Sequence, residues 1–180
     1  MSGLSPSKDS EILQLESRRK IYDLVKQFSG CNFHELERRT SIAPTTLQYH
    51  LHYLTKHGLI TLQKDGNKIR YFAQHLPPED KRLLVFLRQQ NIRHLLLFIL
   101  THKTCRQKDL VEFLQLSPST ISLYLSRLIK NKVLQTVTKG KQILYQLAIA
   151  EDDLVTLLIT YKASFFDQLV DQTIEMWNFR

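Results

Sequence analysis

No stretch of 18 or more apolar residues occurs in the 180-residue chain, so nothing in it reads as a membrane-spanning helix. Two cysteines, Cys31 and Cys105, are too few for a disulfide framework, and they form no CxxC pair. With five glycines there is little room for a phosphate-cradling loop, and no nucleophilic triad is visible. An enzyme is not expected. The opening MSGLSPSKDS is polar and lacks the apolar segment of a secretory signal, so the expectation is a soluble, cytoplasmic protein. The 43% of hydrophobic residues is enough for a packed core, and the length suits one large domain or two small ones.

Acidic side chains are also scarce, 17 against 25 basic ones, and their distribution is uneven. Residues 1–78 hold 11 basic and 7 acidic side chains, residues 79–149 hold 12 and 4, and residues 150–180 hold 2 and 6. No acidic residue lies between Pro44 and Lys64, or between Pro118 and Lys141. A basic body suits a polyanion, because lysines and arginines that neutralise phosphates release condensed counterions. The acidic tail would be repelled by the same ligand, which points to a separate role.

What the chain does have is an internal repeat. Sliding residues 19–74 onto 93–148 needs no gap and gives eleven identities in 56 positions. Arg19, Cys31, Leu36, Pro44, Thr46 and Leu51 meet Arg93, Cys105, Leu110, Pro118, Thr120 and Leu125. Leu54, Lys56, Gly66, Ile69 and Tyr71 meet Leu128, Lys130, Gly140, Ile143 and Tyr145. A constant offset means one supersecondary unit built twice, and two copies are too few for a solenoid.

The unit reads as helix, helix, turn, helix, hairpin. EILQLESRRKIYDLVKQF has helical spacing and ends at Ser29-Gly30; FHELERRT is a short second helix anchored by Leu36. Pro44 opens the third, where its fixed φ and missing N–H suit the first turn. Before Pro118 stands Ser117, a good N-cap; before Pro44 stands Ala43, a poor one. Leu47, His50, Leu51 and Leu54 share one face. LITLQ and IRYFA then read as strands joined through KDGN, with Asp65-Gly66 as the hairpin signal. VLQTVT and QILYQL around KGK repeat the pattern.

TTLQYHLHYLTKHGLI followed by KDGNKIRYF resembles the recognition helix and wing of ArsR/MarR-like winged-helix regulators. The whole chain is similar to tandem winged helix-turn-helix transcription regulators, a type well represented in archaea. The implied architecture is mainly α with small β-hairpin wings: domains at 11–76 and 79–149, then a long C-terminal helix over 151–180. Copy two departs from the pattern, with Tyr124 for His50, Lys132 for Gly58, and Gln142 and Leu144 for Lys68 and Arg70.

The resemblance implies sequence-specific binding of double-stranded DNA, with the third helix in the major groove. With the leucines facing inward, the outward set of copy one is Thr45, Thr46, Gln48, Tyr49, His52, Tyr53 and Lys56. In copy two it is Ser119, Thr120, Ser122, Ser126, Arg127 and Lys130. Gln48 suits adenine, Thr46 a thymine methyl and Lys56 a phosphate. Lys64, Lys68, Arg70, Lys139 and Lys141 place cations on or beside the hairpins, where they can hold the flanking backbone. Merely solvated faces would more often use glutamate and lysine. The alternative function is a tandem winged-helix protein–protein adaptor in a transcription complex.

Metal and cofactor sites are not expected. His50 and His52 project about 200° apart on a helix and cannot share an ion, and the cysteines read as small buried hydrophobes. In the tail, Leu154, Leu158, Tyr161, Phe165 and Leu169 form a helical stripe, extended by Met176 and Trp177. Glu151, Asp152 and Asp153 complement the positive end of a helix dipole. The stripe either completes the core or pairs with its twin in a homodimer.

Overall fold

The computed structural model describes residues 12–165, 173, 174, 176 and 177. Among them it is mainly α-helical with two small antiparallel sheets. The chain divides into two compact units, Met1–Val85 and Phe86–Arg180.

The first unit contains α1 (Glu16–Gln27), β1 (Cys31–Asn32), α2 (Phe33–Thr40), α3 (Pro44–Lys56), β2 (Ile60–Asp65) and β3 (Lys68–Ala73). The order across the sheet is β1-β3-β2. Its core gathers Ile21 and Val25 of α1, Leu36 of α2, Leu47, Leu51 and Leu54 of α3, and Ile60 and Tyr71 of the hairpin. Each helix therefore turns one apolar stripe inward, which is where most helical stability comes from. The connection through α4 (Pro78–Leu87) contains the division between the units.

The second unit contains α5 (Gln90–His102), α6 (Gln107–Leu114), α7 (Pro118–Lys130), β4 (Leu134–Lys139) and β5 (Gln142–Leu147), followed by α8 (Glu151–Thr160). α2, α3 and both hairpin strands reappear 74 residues later with identical lengths. The short β1 pairing of Cys31 with Tyr71 returns as a bridge between Cys105 and Tyr145. Both cysteines are buried thiols outside any disulfide, and burial pushes the Cys105 thiol up to about 12, with the Asp109 charge adding to it. Arg19 and Arg93 share a task as well. Arg19 Nε donates to Leu13 O at 3.2 Å, and Arg93 Nη1 to Leu87 O at 2.6 Å, each reaching back six residues.

Each turn into a third helix passes through a left-handed residue that is not glycine: Ser41 (φ 55°) and Gln115 (φ 54°). Ser117 Oγ then accepts from Thr120 N at 3.2 Å, whereas Ala43 provides no side-chain cap. In each hairpin a glycine leads a two-residue turn, Gly66 (φ 59°) and Gly140 (φ 61°). The turn is Gly66–Asn67, one residue later than Asp65-Gly66, because Asp65 pairs with Lys68 inside the ladder.

The tail differs from the continuous helix suggested by its stripe. α8 ends at Thr160, and Lys162–Ser164 form a 3₁₀ turn. Leu154, Leu158, Tyr161 and Phe165 are all buried, so packing on both sides of the turn sets the break, with no glycine or proline present. Lys103 Nζ donates to Glu151 Oε1 at 2.6 Å, and the Arg93 guanidinium lies 5.1 Å from the Phe165 ring, tying the segment to α5. Leu169 lies outside the described residues. No single described helix is long and apolar enough to cross a membrane.

Candidate nucleic-acid interface

The inward pull of Leu47, Leu51 and Leu54 fixes which residues α3 turns outward. Thr45, Thr46, Gln48, Tyr49, His52 and Lys56 are exposed, Tyr49 by 58%. His50 is buried on the core side, away from His52, and its Nδ1 has no hydrogen-bond partner. Burial, and then the Arg18 charge, hold this imidazole below its ordinary value.

Tyr53 is not on the outward face. It is half-buried under the Arg18 guanidinium, 3.8 Å from its ring centroid, and against His57 at 4.2 Å. The reason is helical geometry, since residue 53 lies three positions from buried His50 on the flank that faces α1. Arg127 occupies the same flank of α7. It is half-buried, with Nη1 donating to Gln89 Oε1 at 3.3 Å and its guanidinium 5.7 Å from the Phe86 ring.

On α7, Ser119, Ser122, Ser126 and Lys130 are exposed. Thr120 is half-buried, its hydroxyl 2.8 Å from that of Ser117 in the capping cluster. Leu123, at the position of Tyr49, is 59% exposed.

The hairpins bring a larger correction. Arg70 is 6% exposed, so it is not a wing cation open to solvent. Its Nε and Nη2 each lie 2.9 Å from Asp65 Oδ2, and its Nη1 donates to Gly30 O at 3.1 Å. The antiparallel register explains the pair. Gln63 sits opposite Arg70 and Asp65 opposite Lys68, so Asp65 and Arg70 are diagonal neighbours on one face. Copy two has Lys139 where Asp65 stands and Leu144 where Arg70 stands, and lacks the pair altogether. With Arg70 neutralised, each hairpin presents two exposed lysines, Lys64 and Lys68 in one, Lys139 and Lys141 in the other. The two hairpins therefore carry equal numbers of exposed lysines, although in copy two none of them lies on the second strand.

Between α2, α3 and the hairpin of the first unit runs an open groove of about 870 Å³. Gln48 lines it from α3, Lys68, Ile69 and Tyr71 from β3, and His34 and Arg38 from α2. His34, Arg38 and the turn residue Asn67 were not singled out from the sequence. Their only sequence signal is position: the start of α2 and the tip of the hairpin both lie beside α3 once the unit is closed.

Residues 15–84 match a family described as an N-terminal HTH domain. The chain is also 25% identical over 145 residues to an uncharacterized HTH-type transcriptional regulator of Methanocaldococcus jannaschii. That alignment covers 81% of this chain, more than either compact unit alone holds, but only 37% of the relative's length. In residues 15–84, α2, the Ser41 turn and α3 form a helix-turn-helix, closed by the β2–β3 hairpin.

Proposed function

We propose that the protein is a sequence-specific double-stranded DNA-binding transcription regulator that offers two recognition helices per chain, α3 and α7. The observation that carries this reading is the exposed face itself. Polar side chains and cations predominate on it, with Tyr49 on α3 and Leu123 on α7 as larger members, and no acidic residue falls between Pro44 and Lys64 or between Pro118 and Lys141. Gln48, Thr46, Tyr49 and His52 are positioned to meet base edges in a major groove, as are Ser119, Ser122 and Ser126 in the second copy. Lys56 and Lys130 leave the ends of these helices, and the four hairpin lysines flank them, as backbone-holding groups would. The HTH match and the relative's printed name support the same reading.

Six exposed lysines in these positions imply a slope of roughly −5 when the logarithm of affinity is plotted against the logarithm of salt concentration. Fluorescence anisotropy with a duplex at several salt concentrations checks it. Lys68→Ala should flatten the slope by about one unit and weaken all sequences alike. A slope near zero would overturn the DNA reading.

The runner-up is the protein–protein adaptor, favoured by the exposed apolar side chains of Phe113 and Leu123 in the second unit. For the tail, burial of the stripe favours the core-completing role. A homodimer through this segment has Ile159 and Met176 as its exposed large apolar contacts among the described residues. Light scattering at micromolar concentration separates the two, a monomeric mass rejecting the dimer.

A further inference from the structure

The outward face of α7 carries serines, and at its centre a leucine. Among the described residues no large apolar side chain is more exposed than Leu123, at 59%. Buried Ile121, Leu125 and Leu128 hold the inner side of the helix, and residue 123 falls almost opposite that line. Its neighbours one turn away, Ser119 and Ser126, are short, and Arg127 is drawn aside to Gln89 and Phe86. Leu123 therefore stands clear of the side chains around it.

A lone exposed leucine is ordinary, and leucine is a strong helix former. Neither point explains its place here. Glutamate, lysine and glutamine form helices about as well and would solvate this side of the helix. The first unit also sets a large side chain there, Tyr49 at the aligned position, so bulk recurs at this point while its chemistry differs. Tyrosine brings a hydroxyl to whatever it meets, and leucine brings none.

Leu123 is the sixth residue of α7, within the N-terminal half that a recognition helix turns to the bases. The serines beside it settle little, since a hydroxyl donates or accepts and so suits any base pair. A leucine is one-sided. The major groove displays a single kind of apolar group, the C5 methyl of thymine. Against an amino or carbonyl edge an apolar side chain strips water without replacing its hydrogen bonds. We propose that Leu123 is the specificity-determining residue of the second unit, packing on a thymine methyl in the major groove.

This inference rests on the DNA-binding reading, and one experiment separates the two. The full chain first selects a preferred duplex from a random-sequence library. Each thymine in it is then replaced in turn by deoxyuridine, which lacks only the methyl and keeps the same pairing and polar edge. Burying one methyl against the leucine corresponds to about a fourfold change in affinity, the loss expected at a thymine beneath Leu123. Leu123→Ser should abolish that loss without changing the salt slope, and Leu123→Met, which keeps an apolar side chain, should retain it. Enrichment of no sequence by the wild type would sink the DNA reading itself. A selected duplex with no deoxyuridine-sensitive position, or one whose sensitive positions all stay so in Leu123→Ser, would overturn the leucine assignment alone. Equal binding of the selected duplex by the wild type and Leu123→Ser would also overturn it, and would leave this side chain to the protein–protein adaptor.

Discussion

Arg70 and Leu144 hold the same place in the two hairpins and solve the same packing problem in opposite ways. In the first unit a buried guanidinium ties β3 to Asp65 and to the carbonyl of Gly30. In the second, a half-buried leucine and an exposed lysine fill the two positions with no ion pair between them. The hairpins keep the same length and register. A buried ion pair is thus a replaceable way to complete this fold, in keeping with the near-equality of such pairs and well-packed apolar substitutes. What the pair adds in the first unit is a brace, since it reaches across to the end of the segment that precedes α2.

The sharpest way to break the comparison is to move one half of a solution at a time. Arg70→Leu alone strands the Asp65 carboxylate and removes a donor from Gly30, and should destabilise the first unit by about 3 kcal/mol. Adding Asp65→Lys copies the second unit's residues and should recover most of that loss. Hydrogen exchange at the β3 amides reads both variants. No recovery in the double variant would mean that the two hairpins are less interchangeable than their registers imply.

A smaller effect is expected just past the third helices, where Gly58 (φ 73°) meets Lys132 (φ 58°). Both backbones are left-handed, which glycine adopts freely and lysine does not. Lys132→Gly should stabilise the second unit by about 1 kcal/mol, and Gly58→Lys should cost the first unit a similar amount. A Cβ at residue 58 would meet nothing within 4 Å, so the cost there is one of backbone alone. Denaturant midpoints of the two variants, moving in opposite directions, check it.

The smallest effect is a pH dependence confined to the first unit. His50 is buried near Arg18, while the second unit has Tyr124 rather than a histidine at this position. With its folded value below the ordinary value near 6.5, the unfolded chain takes up the proton first as pH falls. Stability from this residue is complete above that value and is lost progressively below it. Unfolding midpoints at pH 7.5 and pH 5 should differ for the wild type and converge in His50→Gln.

These comparisons also show what a sequence can disclose. The repeat, the proline-led helices and the hairpins were legible because each rests on local signals, and the offset of 74 carries every one of those elements across intact. The fate of Arg70 was not. Period-two alternation says that Asp65, Gln63 and Arg70 share a face only after the register is known, and the register slid with the turn from Asp65-Gly66 to Gly66–Asn67. Tyr53 and Arg127 failed for a related reason, as flank positions on a helix are decided by what packs beside them. The break after Thr160 has no local marker either, because two buried aromatic side chains determine it.

Ser41 and Gln115 bear on how quickly the protein can engage a ligand. A turn that reaches the left-handed region without glycine gives up some folding free energy, yet it allows the chain fewer alternatives around that angle. The orientation of α3 and α7 within their own units is thereby settled when each unit folds, ahead of any encounter. Little ordering entropy is then left to the moment of contact, so the association rate should follow charge and diffusion rather than a conformational search.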